Sequence, residues 1–109
     1  MLNNDAKKNI DLITSTAEYL WNENVSFGKL KVLNTPYPAF EWMMNLYKKI
    51  DILLIYDRST LDIGILKNGK YVLVSRFTDK PFIRGIKSTQ PENLLNNFRL
   101  LDYVVTSLI

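Results

Sequence analysis

The dipeptide Asn68-Gly69 constrains this chain more than any other feature in it. Within LDIGILK-NG-KYVLVSR it supplies the two positive-φ residues that a two-residue type I′ turn needs, so a tight hairpin is predicted there. The turn sets the register: Lys67 faces Lys70, Leu66 faces Tyr71, Ile65 faces Val72, Gly64 faces Leu73 and Ile63 faces Val74. One face of the hairpin then carries Ile63, Ile65, Val72 and Val74. The opposite face carries Asp62, Gly64, Leu66, Tyr71, Leu73 and Ser75, a mixed set suited to partial cover or to contact with a partner.

Upstream, Ile50 to Tyr56 is short and almost continuously aliphatic, the pattern of an interior strand covered on both faces. Asp57-Arg58-Ser59-Thr60 is rich in residues that bond their own backbone in turns, so a second reversal joins this strand to the hairpin in a three-stranded antiparallel meander.

The flanking segments read as cover for that meander. Ala6, Ile10, Ile13, Ala17, Leu20 and Trp21 recur at helical spacing, predicting a helix over Asn4–Asn22. Val25 to Leu33 has strand composition with a change of phase at Gly28, which marks a bulge, and Lys29 and Lys31 suit an edge. Pro36 and Pro38 introduce a predicted helix running from there to Lys49, with Phe40, Trp42, Met43, Met44 and Tyr47 too many for one buried stripe. Residues 78–90 hold Pro81 and Gly85 and give no periodic signal. The last element is a helix from about Gln90 to the C-terminus, opened by a Thr89…Glu92 capping box and carrying Leu94, Phe98, Leu101, Val105 and Leu108 on one side.

The predicted fold is therefore a single α+β domain over residues 1–109: an antiparallel sheet of about four strands, helices mainly on one face, in the order α-β-α-β-β-β-α. That order is similar to those of profilin-like and roadblock-type scaffolds, a likeness of element order that implies nothing about activity.

Composition then narrows the chemistry. The 109 residues include no Cys and no His, which removes disulfides, thiolate and imidazole metal ligands and the commonest general acid/base. No apolar run reaches the roughly 18 residues of a membrane span and MLNNDAKKNIDL has no signal-peptide core, so a cytoplasmic protein without membrane contact is expected. Gly28, Gly64, Gly69 and Gly85 are scattered and form no phosphate-cradling loop, and no cofactor is expected. Asp51, Asp57 and Asp62 are the only carboxylates near the centre of the chain, and Asp57 and Asp62 flank one turn, where a hard cation for metal-assisted chemistry can be imagined. An Asp in such a turn usually serves its backbone bonds, so neither a metal site nor a catalytic residue is assigned.

Charge is uneven along the chain. Between Lys67 and Lys87 six basic residues stand against Asp79 alone, net +5, while the remaining eight basic and ten acidic residues give −2. A concentrated basic segment with Phe77 and Phe82 interleaved fits an acidic protein surface or a phosphate backbone.

The expected function is a non-enzymatic, protein-binding module acting by surface contact, such as an immunity or inhibitor protein, a counter-defence factor or an assembly adaptor. Its contact residues are expected to be Lys67, Lys70, Tyr71, Arg76, Lys80 and Arg84, with Tyr37, Trp42 and Tyr47 as a second surface. A nucleic-acid binder using residues 67–87 is the first alternative, and a metal-assisted enzyme using Asp57 and Asp62 the second. A homodimer through Val25–Leu33 or the uncovered hairpin face is also expected.

Overall fold

A computed structural model describes residues 4–33 and 39–109. Helix α1 (Asn4–Trp21) is followed by five strands, β1 (Val25–Val32), β2 (Ala39–Leu46), β3 (Ile50–Asp57), β4 (Thr60–Lys67) and β5 (Lys70–Leu73), and the chain closes with α2 (Pro91–Leu108). The strands form one antiparallel sheet in sequence order, a continuous meander. The α+β class and the antiparallel sheet are as predicted, with five strands in place of about four.

The additional strand replaces the helix predicted up to Lys49. Ala39–Leu46 is β2, in which Phe40, Trp42, Met44 and Leu46 are buried on one face and Glu41, Met43 and Asn45 are half-exposed on the other. That is a period of two, and the excess of large side chains that overfilled a helical stripe is what a strand with two populated faces requires. The order is thus α-β-β-β-β-β-α, and the likeness to profilin-like and roadblock-type scaffolds, which depended on a helix at this point, lapses. Residues 34–38, including Pro36, Tyr37 and Pro38, lie outside the described residues.

Three reversals hold the meander in register. Asn68 and Gly69 have φ of 53° and 80°, and Lys67 pairs with Lys70, Leu66 with Tyr71, Ile65 with Val72 and Gly64 with Leu73, as predicted. The expected Ile63–Val74 pair does not form, because Val74 already begins a 3₁₀ turn, Val74–Arg76. Arg58 and Ser59 make the second reversal with φ of 52° and 63°. Tyr47 and Lys48 make the third with φ of 59° and 58°, a left-handed pair built without glycine.

Both helices cover the same face of the sheet. Ala6, Ile13, Ala17 and Trp21 of α1 and Leu94, Phe98, Leu101, Val104 and Val105 of α2 enter one core with inward residues of β2, β3 and β4. Strand β3 is central in the sheet, yet it is covered on one face: Ile52, Leu54 and Tyr56 are buried while Leu53 and Ile55 remain half-exposed. The expectation of cover on both faces is corrected accordingly.

The α2 start also differs from expectation. Gln90 occupies the N-cap without a side-chain capping bond, and Thr89 Oγ1 donates to the Ile86 carbonyl, so the Thr89…Glu92 capping box is not formed. The 3₁₀ turn Gly85–Thr89 instead runs along β4, and it fixes the segment that carries the basic residues.

Candidate functional site

The 74–84 segment closes the flank of the molecule between β5 and α2. Asn97, buried on α2, accepts the Ile83 N–H through Oδ1 and donates to the Ile83 carbonyl through Nδ2, both at 2.9 Å. A side-chain amide has the donor and acceptor that a single peptide unit needs, so this one residue holds an irregular loop as a neighbouring strand would. Phe77 and Phe82 pack against the core beneath the loop.

Several expected basic residues are placed by this arrangement. The Lys67 ammonium lies 5.5 Å from the centroid of the Phe77 ring, and Lys80 lies 4.8 Å from that of Tyr103 on α2. Arg84 Nη2 donates to Ser75 Oγ at 3.0 Å. Such cation–ring contacts are worth about 0.5–1 kcal/mol at exposed sites, enough to favour one direction for a flexible lysine. Arg99 of α2 joins Lys80 and Tyr103 around a shallow hollow of about 320 Å³. It fell outside the 67–87 segment and is brought there only by the docking of α2. Lys70 and Arg76 are exposed at the hairpin end and in the 3₁₀ turn.

Tyr71 is separated from these cations. It lies on the opposite, outer face of the sheet, where its ring covers Gly64 and its hydroxyl reaches Met43 Sδ at 3.3 Å. A Cβ on Gly64 would stand 3.3 Å from the Tyr71 Cβ, so the glycine is what allows the ring to lie across the strand. Desolvation first, and then the charge of Asp51, push the Tyr71 phenol above its ordinary pKa.

The second expected surface is differently placed. Trp42 is only 8% exposed; it stacks on Phe27 with ring centroids 4.3 Å apart, and its indole N–H donates to the Gly28 carbonyl at 3.1 Å. That bond explains the bulge, since it takes up a carbonyl that the shifted β1 ladder between Phe27 and Leu30 leaves turned inward. Tyr47 donates to Asp102 Oδ1, which also accepts the Trp21 indole N–H at 2.9 Å. Burial, together with the adjacent carboxylate, pushes the Tyr47 phenol up to about 12. These residues tie α1, the β2–β3 turn and α2 together, and neither Trp42 nor Tyr47 presents a free ring. Tyr37 lies outside the described residues.

Asp57 and Asp62 sit on the same outer face. Asp57 pairs with Thr60 and Ile55 with Asp62, which makes the carboxylates diagonal neighbours, a relation that usually puts Cα atoms ~7–8 Å apart. Among the described residues no group of three or more His, Cys, Asp or Glu side chains is placed to hold a metal ion. A cleft of about 720 Å³ between α1, Tyr56 and the start of α2 is mixed in charge, with Asp5, Asp11 and Lys8 on its wall. None of the expected contact residues lines it. No helix of the described residues is long and apolar enough to cross a membrane.

Comparison of the chain with known protein families, characterised proteins and solved structures finds no match.

Proposed function

We propose that the chain is a non-enzymatic binding module of the cytoplasm that recognises an acidic protein partner through the basic flank between β5 and α2, as immunity and inhibitor proteins, counter-defence factors and assembly adaptors do by surface contact. The observation that carries this reading is the placement of the cations: Lys67 over Phe77, Lys80 over Tyr103 and Arg84 on Ser75, with Arg99 beside Lys80. Pre-placed charges lose less conformational freedom on binding and steer an oppositely charged partner into encounter.

The same contacts favour protein over single-stranded nucleic acid. Base stacking needs open aromatic faces. Here Phe77 and Tyr103 each carry a lysine over the ring, while Phe82 packs against the core. Titration with polyglutamate, duplex DNA and single-stranded RNA over a range of salt separates the readings. Micromolar binding of the acidic polypeptide, weakened when Lys80 and Arg99 are both changed to Gln, is expected. Tighter binding of a nucleic acid, with log affinity falling by about 0.7–0.9 per neutralised phosphate against log salt, would overturn it.

A further inference from the structure

The sheet face opposite the helices is a second surface of the opposite character. Met43, Leu53, Gly64 and Leu73 are consecutive register partners in one row across β2 to β5, and Ile55, Leu66 and Tyr71 flank that row. Tyr71 and Leu73 are 36% and 39% exposed, and Met43, Leu53, Ile55 and Leu66 are half-exposed. At the β1 end the row opens into a hollow of about 340 Å³ bounded by Met43, Leu53, Glu41, Lys29 and Lys31. Gly28 adjoins that end, where a Cβ would stand 3.1 Å from the Met43 Cβ.

The charge on the face selects its occupant. Asp51 lies on one side of the apolar row, and Glu41, Asp57 and Asp62 lie on the other. Among the described residues, Lys29 and Lys31 on β1 and Arg84 beside Asp62 place cations at the margins of the face. Carboxylates on both sides repel a phosphate backbone. A second copy laid face to face would bring the same four carboxylates against its own. An extended peptide cannot lie on a sheet face without leaving its backbone N–H and C=O groups unpaired, whereas a helix satisfies its own. Three strand spacings at about 4.8 Å give a row of about 14 Å, the length of roughly 10 helical residues at 1.5 Å each.

We propose that this uncovered face docks an amphipathic helix of a partner protein, with an apolar stripe along the Met43–Leu53–Leu73 row, one large side chain in the hollow beside Gly28, and Lys or Arg on both sides of the stripe facing Asp51, Glu41, Asp57 and Asp62. The surface meets the basic flank only at Arg84, beside Asp62, so variants at Lys80 and Arg99 separate the two contacts.

The test uses the full chain and three labelled 14-residue peptides read by fluorescence anisotropy: a helical Leu/Lys amphipath, the same peptide with Glu for every Lys, and the same with Ser for every Leu. Saturable one-to-one binding of the Leu/Lys peptide alone is expected. It should weaken at least tenfold in Leu53→Lys and in the double variant Asp51→Lys with Asp62→Lys, each with a native far-ultraviolet spectrum, and stay unchanged when Lys80 and Arg99 are changed to Gln. Equal binding of the Leu-free peptide, indifference to both face variants, or a dimer by light scattering that Leu53→Lys dissociates would overturn the proposal.

Discussion

Ser88 Oγ accepts the Leu61 N–H at 2.9 Å and completes, from 27 residues away, a position on the edge of β4 that the four-residue β5 does not reach. The same hydroxyl donates to the Gly85 carbonyl at 2.6 Å and is wholly buried. A short edge strand would otherwise leave a buried amide without a partner, and the 3₁₀ turn is held against β4 by the bond that prevents this. Replacing Ser88 with Ala leaves the Leu61 N–H unpaired and is expected to destabilise the fold by about 1–3 kcal/mol. Urea denaturation measures this, with the midpoint moving to lower urea at an unchanged slope.

Asn97 performs the corresponding service for the basic flank. Asn97→Leu keeps the side-chain volume and removes both bonds to Ile83, so a loss of about 1–3 kcal/mol is expected along with faster hydrogen exchange at the Ile83 amide. Because Lys80 and Arg84 ride on the segment that Asn97 holds, binding of an acidic polypeptide should weaken in the same variant. Unchanged exchange at Ile83 would contradict the role given to Asn97.

Tyr47 gives the fold an alkaline limit. Its folded pKa of about 12 lies above the ordinary 10, so its contribution is fully present below pH 10 and is lost as pH rises from 10 through about 12. Ionisation sets a phenolate against Asp102, which then loses a donor. In Tyr47→Phe the fall in stability over that window should be shallower, with Tyr71 responsible for part of what remains. Melting temperatures taken between pH 8 and 12 report this directly; parallel declines in both proteins would refute it.

The hairpin at Asn68-Gly69 gives a local test of the register. Gly69 has φ of 80° and no atom that a Cβ would meet within 4 Å, so Gly69→Ala incurs only the left-handed backbone strain, about 1–2 kcal/mol. The expected result is a lower melting temperature with an unchanged far-ultraviolet spectrum.

Much of the fold was legible because local rules and tertiary packing agree. The positive-φ pair at Asn68-Gly69 set four cross-strand pairs, Gly28 marked the bulge, and the spacing from Ile13 to Trp21 and from Leu94 to Val105 gave both helices their buried sides. Strand β2 was missed because prolines precede it and because AFEWMMNL fills both faces with bulky groups. Its turn at Tyr47-Lys48 also lacks the glycine or asparagine that normally marks a left-handed pair.

The binding surfaces were harder to read, since each is assembled from distant parts of the chain. Arg99 and Tyr103 join Lys80 only once α2 docks, and the acidic face appears only when Glu41, Asp51 and Asp62 are aligned by the β2–β4 register. Tyr71 adjoins Lys70 in sequence, yet strand alternation sends it to the other face. Nothing in a linear charge count separates the two.

The basic flank is tested most directly by affinity capture from the native source with three full-length baits: the unaltered chain, the chain with Lys67, Lys80, Arg84 and Arg99 changed to Gln, and the chain with Leu53→Lys. The expected result is one acidic protein retained in stoichiometric amount by the first and third baits and lost from the second. Recovery of that protein with the Gln-substituted bait, or of nucleic acid in its place, would contradict the flank as the recognition surface.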